Sequence, residues 1–144
     1  MEPAMRRFCE EFGKQKKVTV EFQSQAVMGS VPPDISLSLY RVLQEALHNA
    51  AKHSGAKHFR VQLLGTEGLA QLIVSDSGQG FDPEIAMRGH GLGLISMKER
   101  LHSVSGEITI EAQPHCGTTI HARVPFSPQS ESPRPSGYAD RRSV

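Results

Sequence analysis

The stretch Leu39-Tyr40-Arg41-Val42-Leu43-Gln44-Glu45-Ala46-Leu47-His48-Asn49-Ala50-Ala51-Lys52-His53 decides the fold. Leu39, Val42, Leu43, Ala46, Leu47 and Ala50 keep a 3.6-residue period, which predicts an amphipathic helix with one face in a core. Pro32-Pro33 precedes it, Asp34 or Ser36 is placed to cap it, and Ser54-Gly55 closes it, Gly55 being suited to the left-handed position beyond a helix. On the polar side, Glu45, Asn49 and Lys52 are spaced i, i+4, i+7 and share one face. A carboxylate, an amide and an ammonium grouped this way can set a general base, a magnesium ligand and a phosphate contact side by side, because Mg²⁺ takes only one or two protein oxygens besides phosphates and water. The plain alternative is a solvated helix face, with Lys52 and His53 offsetting the helix dipole.

Working outward, Met5, Phe8, Cys9 and Phe12 recur at helical spacing and predict a short helix ending near Gly13. Val18, Val20 and Phe22 alternate as a half-buried strand. Downstream, Phe59, Val61 and Leu63 alternate, a turn forms around Thr66-Glu67-Gly68, and Leu69 to Val74 is a nearly continuous apolar run expected of a more buried strand. A glycine-rich loop occupies Ser75 to Gly93. Leu94, Met97, Leu101 and Val104 then resume the helical period until Gly106 stops it, and Ile108, Ile110, Ala112 and Ile120, Ala122, Val124 form a hairpin around Pro114 to Gly117. The order suggests an α/β sandwich with helices on one face of a mixed sheet. From Ser127 onward the chain is Ser/Pro-rich with little apolar content, and reads as a disordered tail.

Two glycine motifs interrupt this pattern. Asp76-Ser77-Gly78-Gln79-Gly80 follows a buried strand directly. A carboxylate there only accepts hydrogen bonds, so it suits the exocyclic amine of adenine, which guanine does not present, and Gly78 and Gly80 let backbone approach a base closely. A plain Asp/Gly turn has the same composition. Gly89-His90-Gly91-Leu92-Gly93-Leu94 runs into a helix start, where free N–H groups and the dipole favour anions. The alternative is a flexible hinge. It is not a Rossmann fingerprint, which needs a strand immediately before it and Gly or Ala at Leu94, and the chain has no Gly-Lys-Ser/Thr of a P-loop.

Composition bounds the rest. At 144 residues one core is expected, and 16 Lys+Arg against 15 Asp+Glu gives +1, which removes a case for nucleic-acid binding by bulk charge. Cys9 and Cys116 are too few and too far apart for a disulfide framework or a zinc site, and reduced thiols suit the cytoplasm. His48 and His53 share no helix face, and no Gly-x-Ser-x-Gly elbow is present. No basic-then-apolar leader opens the chain and no apolar run approaches the ~18 residues of a membrane helix, so any membrane anchor is expected in segments outside it.

In combination these motifs are specific. Leu39 to His53 resembles the N box of sensor histidine kinases of the NarX and DesK type, Asp76 to Phe81 their G1 box, Gly89 to Leu94 their G2 box, and Gly117-Thr118 the pair opening the fold's last strand. The resemblance covers about residues 18 to 126. It implies the Bergerat fold of the GHKL ATPases and kinases, an α+β sandwich whose mixed, mostly antiparallel sheet carries helices on one face, and the cofactors ATP and Mg²⁺. By the same resemblance Asn49 coordinates Mg²⁺, with Glu45 as general base or second ligand; Asp76 binds the adenine amine with Thr118 beside it; Gly78, Gly80, Phe81, Gly89, His90, Gly91, Leu92, Gly93 and Leu94 line base and phosphates; and Lys52 and His53 sit near the phosphates. Only eight residues, Phe81 to Arg88, separate the two glycine boxes, a short lid without an F box, as in that branch. The implied partners are a histidine-bearing dimerisation domain of the same kinase and a response regulator of the LuxR/NarL type. Residues 1–16 read as the end of a dimerisation region, 17–126 as the catalytic domain and 127–144 as the tail, and none of the seven histidines is expected to be the phosphate acceptor. A stand-alone GHKL serine kinase of the anti-sigma-factor type is the rival reading.

Overall fold

Most alternate residues of the strands are apolar, with Ser24, Asp76 and Thr118 the exceptions, and the sheet they form buries one face. The computed structural model describes residues 2–25, 31–53, 57–66, 68–76, 92–113 and 117–126, with the backbone alone for 53, 92–94, 112 and 113. Its elements are α1 (Glu2–Lys16), β1 (Thr19–Gln25), α2 (Pro33–His53), β2 (His58–Thr66), β3 (Leu69–Asp76), α3 (Leu92–His102), β4 (Glu107–Gln113) and β5 (Gly117–Pro125). The strands are ordered β1-β2-β3-β5-β4, β1 parallel to β2 and all other pairs antiparallel. Phe59, Val61 and Leu63 of β2, Ala70, Leu72 and Val74 of β3, and Ile120, Ala122 and Val124 of β5 are buried beneath the helices. There α2 lies on β3 and β5, α3 on β4, and α1 on β1. The alternate residues, among them Arg60, Gln62, Gln71, Ile73 and His121, stay half-buried or exposed on a face that no described helix covers. The expected α+β sandwich, with its mixed sheet and helices on one side, is present.

Several local expectations change. The apolar run Leu69 to Val74 is not buried throughout: Leu69 and Ile73 point to the open face and are only half-buried. Helix α2 starts at Pro33, whose missing N–H is spared in a first turn, and Ser36 N–H donates to the Pro32 carbonyl at 3.0 Å. Neither Asp34 nor Ser36 is therefore the cap; Asp34 sits inside the first turn, where its Oδ1 accepts from Ile35 N–H at 2.9 Å. Helix α1 does not end at Gly13 but continues to Lys16. Lys17 then takes the left-handed conformation at φ 58° and Val18 N–H donates to the Gly13 carbonyl at 3.0 Å, a Schellman closure. A glycine is needed at position 13 because a Cβ there would lie 2.9 Å from the Val18 carbonyl oxygen.

The end of α3 repeats the device. Ser105, not Gly106, holds the left-handed position at φ 62°, with Gly106 N–H on the Leu101 carbonyl at 2.7 Å and Ser105 N–H on that of His102 at 3.0 Å. Gly106 instead lets β5 pass, since a Cβ would meet Val124 Cγ2 at 2.7 Å. At the other end of the molecule α1 is tied to the sheet: Ser24 Oγ donates to Glu2 Oε2 at 2.7 Å and the Arg6 guanidinium lies 4.9 Å from the centre of the Phe22 ring. Residues 2–16, within the stretch read from the sequence as the end of a dimerisation region, thus place Met5, Cys9 and Phe12 in the common core. Burial pushes the Cys9 thiol up to about 12, so it is an inert apolar filler. The Ser54-Gly55 closure and the tail from Ser127 lie outside the described residues.

Candidate functional site

Helix α2 carries small side chains where it crosses the ends of β3 and β5. Ala46 and Ala50 leave space that a leucine would fill, and a pocket opens there, lined also by Asn49, Val74, Asp76, Thr118 and Ile120. Its walls are apolar and its polar groups few, the usual make-up of a site for a small organic ligand. Asp76 ends β3 directly opposite Thr118 at the start of β5. Directly opposed residues of an antiparallel pair hold their Cβ atoms ~5 Å apart, so carboxylate and hydroxyl form one polar edge. Thr118 is only 4% exposed, and its Oγ1 has no hydrogen-bond partner among the described residues. A buried hydroxyl left unpaired costs about 1–3 kcal/mol, which a polar ligand or water in the pocket would relieve. Apolar walls against one carboxylate and one buried hydroxyl give the pocket an apolar surface with a single polar edge.

The sequence singled out more residues than this pocket collects. Of Glu45, Asn49 and Lys52, Asn49 lines it; Glu45 is half-buried and Lys52 exposed on the same helix outside the lining. The shared polar face therefore meets the pocket at one residue, the one between Ala46 and Ala50. His53 ends α2, and Leu92, Gly93 and Leu94 open α3, in both cases described by backbone only. The expected phosphate contact of Gly93 and Leu94 thus falls on a helix N-terminus, where free N–H groups are available. Gly78, Gly80, Phe81, Gly89, His90 and Gly91 lie outside the described residues. Sequence reasoning missed Ala46, Ala50, Val74 and Ile120 as pocket wall, reading them as core. The paired alanines on one face were the available signal.

A family model described as histidine kinase-, DNA gyrase B-, and HSP90-like ATPase matches residues 34–128. Among curated proteins, the signal transduction histidine-protein kinase/phosphatase DegS of Brevibacillus brevis is 30% identical over 125 residues, 87% of this chain and 32% of that protein. The sensor histidine kinase MctS of Rhizobium johnstonii is 33% identical, over 86% of this chain and 27% of its own length. The chain spans about a third of the length of these relatives. Among solved structures, the mycobacterial sensor histidine kinase MprB superposes with a TM-score of 0.64 at 28% identity, covering 86% of this chain and 93% of that one. Full-length ShkA in complex with AMPPNP reaches 0.72 at 19% identity over 88% of this chain and 30% of its own, which shows the shared fold. With a matched segment that takes in all but the first residue of α2, together with β3, β5 and every residue lining the pocket, the chain belongs to the histidine kinase-, DNA gyrase B- and HSP90-like ATPases.

Proposed function

We propose that this chain is the ATP-binding catalytic domain of a two-component sensor histidine kinase. The observation that carries the reading is the position of Asp76 opposite Thr118, whose buried hydroxyl has no hydrogen-bond partner among the described residues, on one wall of a pocket whose other wall presents Asn49. Asp76 accepts the adenine amine, Thr118 serves the same edge, and Asn49 offers its carbonyl oxygen to Mg²⁺, which neutralises phosphate charge when bound. The helix N-terminus at Leu92 to Leu94 and the glycines of 78–93 hold the phosphates. On this reading Glu45, half-buried one turn before Asn49, serves as the general base or a second metal contact.

Catalysis on this reading is mainly positioning. A histidine nitrogen on a separate dimerisation domain attacks the γ-phosphorus, the bond to the β,γ-bridging oxygen breaks, ADP leaves, and the phosphoryl group passes to a response regulator, for which a LuxR/NarL-type protein is our assignment. Residues 17–126 form the catalytic module, to which 1–16 lead from the dimerisation region, and the module acts in the cytoplasm. No helix among the described residues is long and apolar enough to cross a membrane. The named relatives favour this reading over a serine kinase of the anti-sigma-factor type.

Incubating the chain with γ-labelled ATP, Mg²⁺ and a histidine-bearing dimerisation hairpin in trans tests it. Label on the hairpin's histidine, lost in Asn49→Asp, is the expected result. Label stable to acid on a partner's serine would overturn it in favour of the rival.

A further inference from the structure

Next to Asn49 on α2 stands His48, which serves no part of the pocket. It points the other way, toward α1, where its ring meets Phe12 edge-on at 5.5 Å and 71° and Phe8 at 6.3 Å and 76°. Phe8 in turn meets Tyr40 of α2 at 5.9 Å, and Phe12 meets Phe59 of β2 at 6.5 Å. Phe12 is 2% exposed and anchored, whereas His48 lies at the solvent edge of the cluster. The order of contacts, Phe8 beside both Tyr40 and His48 and Phe12 beside His48, shows that α1 runs alongside α2 in the same direction.

On its pocket side this part of α2 has Ala46, Asn49 and Ala50; the two alanines are buried, but their side chains are short and make less packing surface than the leucines of the preceding turns. Val42, Leu43 and Leu47 hold the helix in the core, and His48, at the solvent edge, adds the contact with α1 that lies nearest Asn49. A helix is ~10–12 Å across with its side chains, so a rotation of ~20° about the axis moves a side-chain tip by ~2 Å. Misplacing a functional atom by ~1 Å can cost about 100-fold in rate. We propose that His48 is a positioning residue, which locks the rotation of α2 against Phe8 and Phe12 and so fixes the Asn49 amide toward the metal-phosphate side of the pocket. Helix α1 is thereby a working part of the nucleotide site. The inference rests on the reading of Asn49 as the metal ligand.

The test compares the wild-type chain with His48→Ala, His48→Phe and Asn49→Ala. ATP affinity is measured by calorimetry with Mg²⁺ and with EDTA, and the Asn49 side-chain amide signals are followed by NMR without nucleotide. In His48→Ala the affinity with Mg²⁺ falls about three- to tenfold, the range an aromatic pair's coupling allows. Its affinity in EDTA changes by less than about twofold, and the free-state Asn49 amide signals broaden or shift. His48→Phe, which keeps the edge-on contacts, restores both. Equal losses with Mg²⁺ and EDTA, or unchanged Asn49 signals, would overturn the positioning role. If Asn49→Ala itself keeps the full Mg²⁺ dependence, the metal assignment fails, and that outcome is distinct because it does not depend on His48.

Discussion

The two faces of this sheet are built by alternate residues of the same strands and behave oppositely. On the covered face Phe59, Val61, Leu63, Leu72 and Ala122 are packed to zero or 1% exposure, and the pocket is the place where two alanines of α2 interrupt that packing. On the open face polar residues pair across strands, His121 Nε2 with Gln71 Oε1 at 2.7 Å, Glu21 with His58 at 3.1 Å and Arg123 with Glu107 at 3.6 Å, although Arg123 Nε has no hydrogen-bond partner among the described residues. Function needs a gap and an unpaired polar group. On the covered face the two occur together at one pocket, where burial turns them into ligand affinity.

Neighbouring substitutions on β2 give the largest contrast. Leu63→Ala, on the covered face, should cost about 2–5 kcal/mol in denaturant unfolding, whereas Leu64→Ala, one residue along on the open face, should cost about 1 kcal/mol or less. Equal costs would mean that the open face is itself packed against something. Thr118→Val separates site from scaffold more finely. Removing a buried hydroxyl without a protein partner should leave stability unchanged or raise it by about 1 kcal/mol, while ATP affinity falls about tenfold. Thr119→Val, pointing to the other face, should leave affinity unchanged.

A pH titration examines the open face alone. Burial, and then the Arg123 charge, hold His121 below the ordinary imidazole value of 6.5. The folded chain then binds fewer protons at this site than the unfolded chain, so its contribution is full above pH 6.5 and declines as pH falls below it. The melting temperature should drop between pH 7.5 and 5, and drop less in His121→Gln. Smallest of all, Glu107→Gln removes an exposed ion pair and should change stability by less than about 0.5 kcal/mol.

The elements and much of the covered face were legible because alternation and the helical period report burial directly: Leu39 to Ala50, Phe59/Val61/Leu63 and Ile120/Ala122/Val124 read correctly, whereas the run Leu69 to Val74 hid its open-face residues. Helix ends were less legible. Lys17 and Ser105 occupy left-handed positions that composition assigns to glycine, since tertiary contacts at Gly13 and Gly106 decided where glycine was indispensable. In the site, Asp76 and Asn49 were visible as chemistry and Thr118 through the family resemblance, and the structure gathers them at one pocket. Its walls were not visible, because Ala46, Val74 and Ile120 look like any core residue until a neighbour proves too small to fill the space.

The account's central claim is that Asp76 reads adenine in this pocket. The most direct measurement is equilibrium binding of ATP and GTP, with Mg²⁺, to the wild-type chain and to Asp76→Asn. The account predicts ATP favoured by about 100-fold or more in the wild type, and in the variant a fall in ATP affinity that removes most of that preference. Equal affinity for the two nucleotides in the wild type, or an undiminished preference in Asp76→Asn, would contradict it.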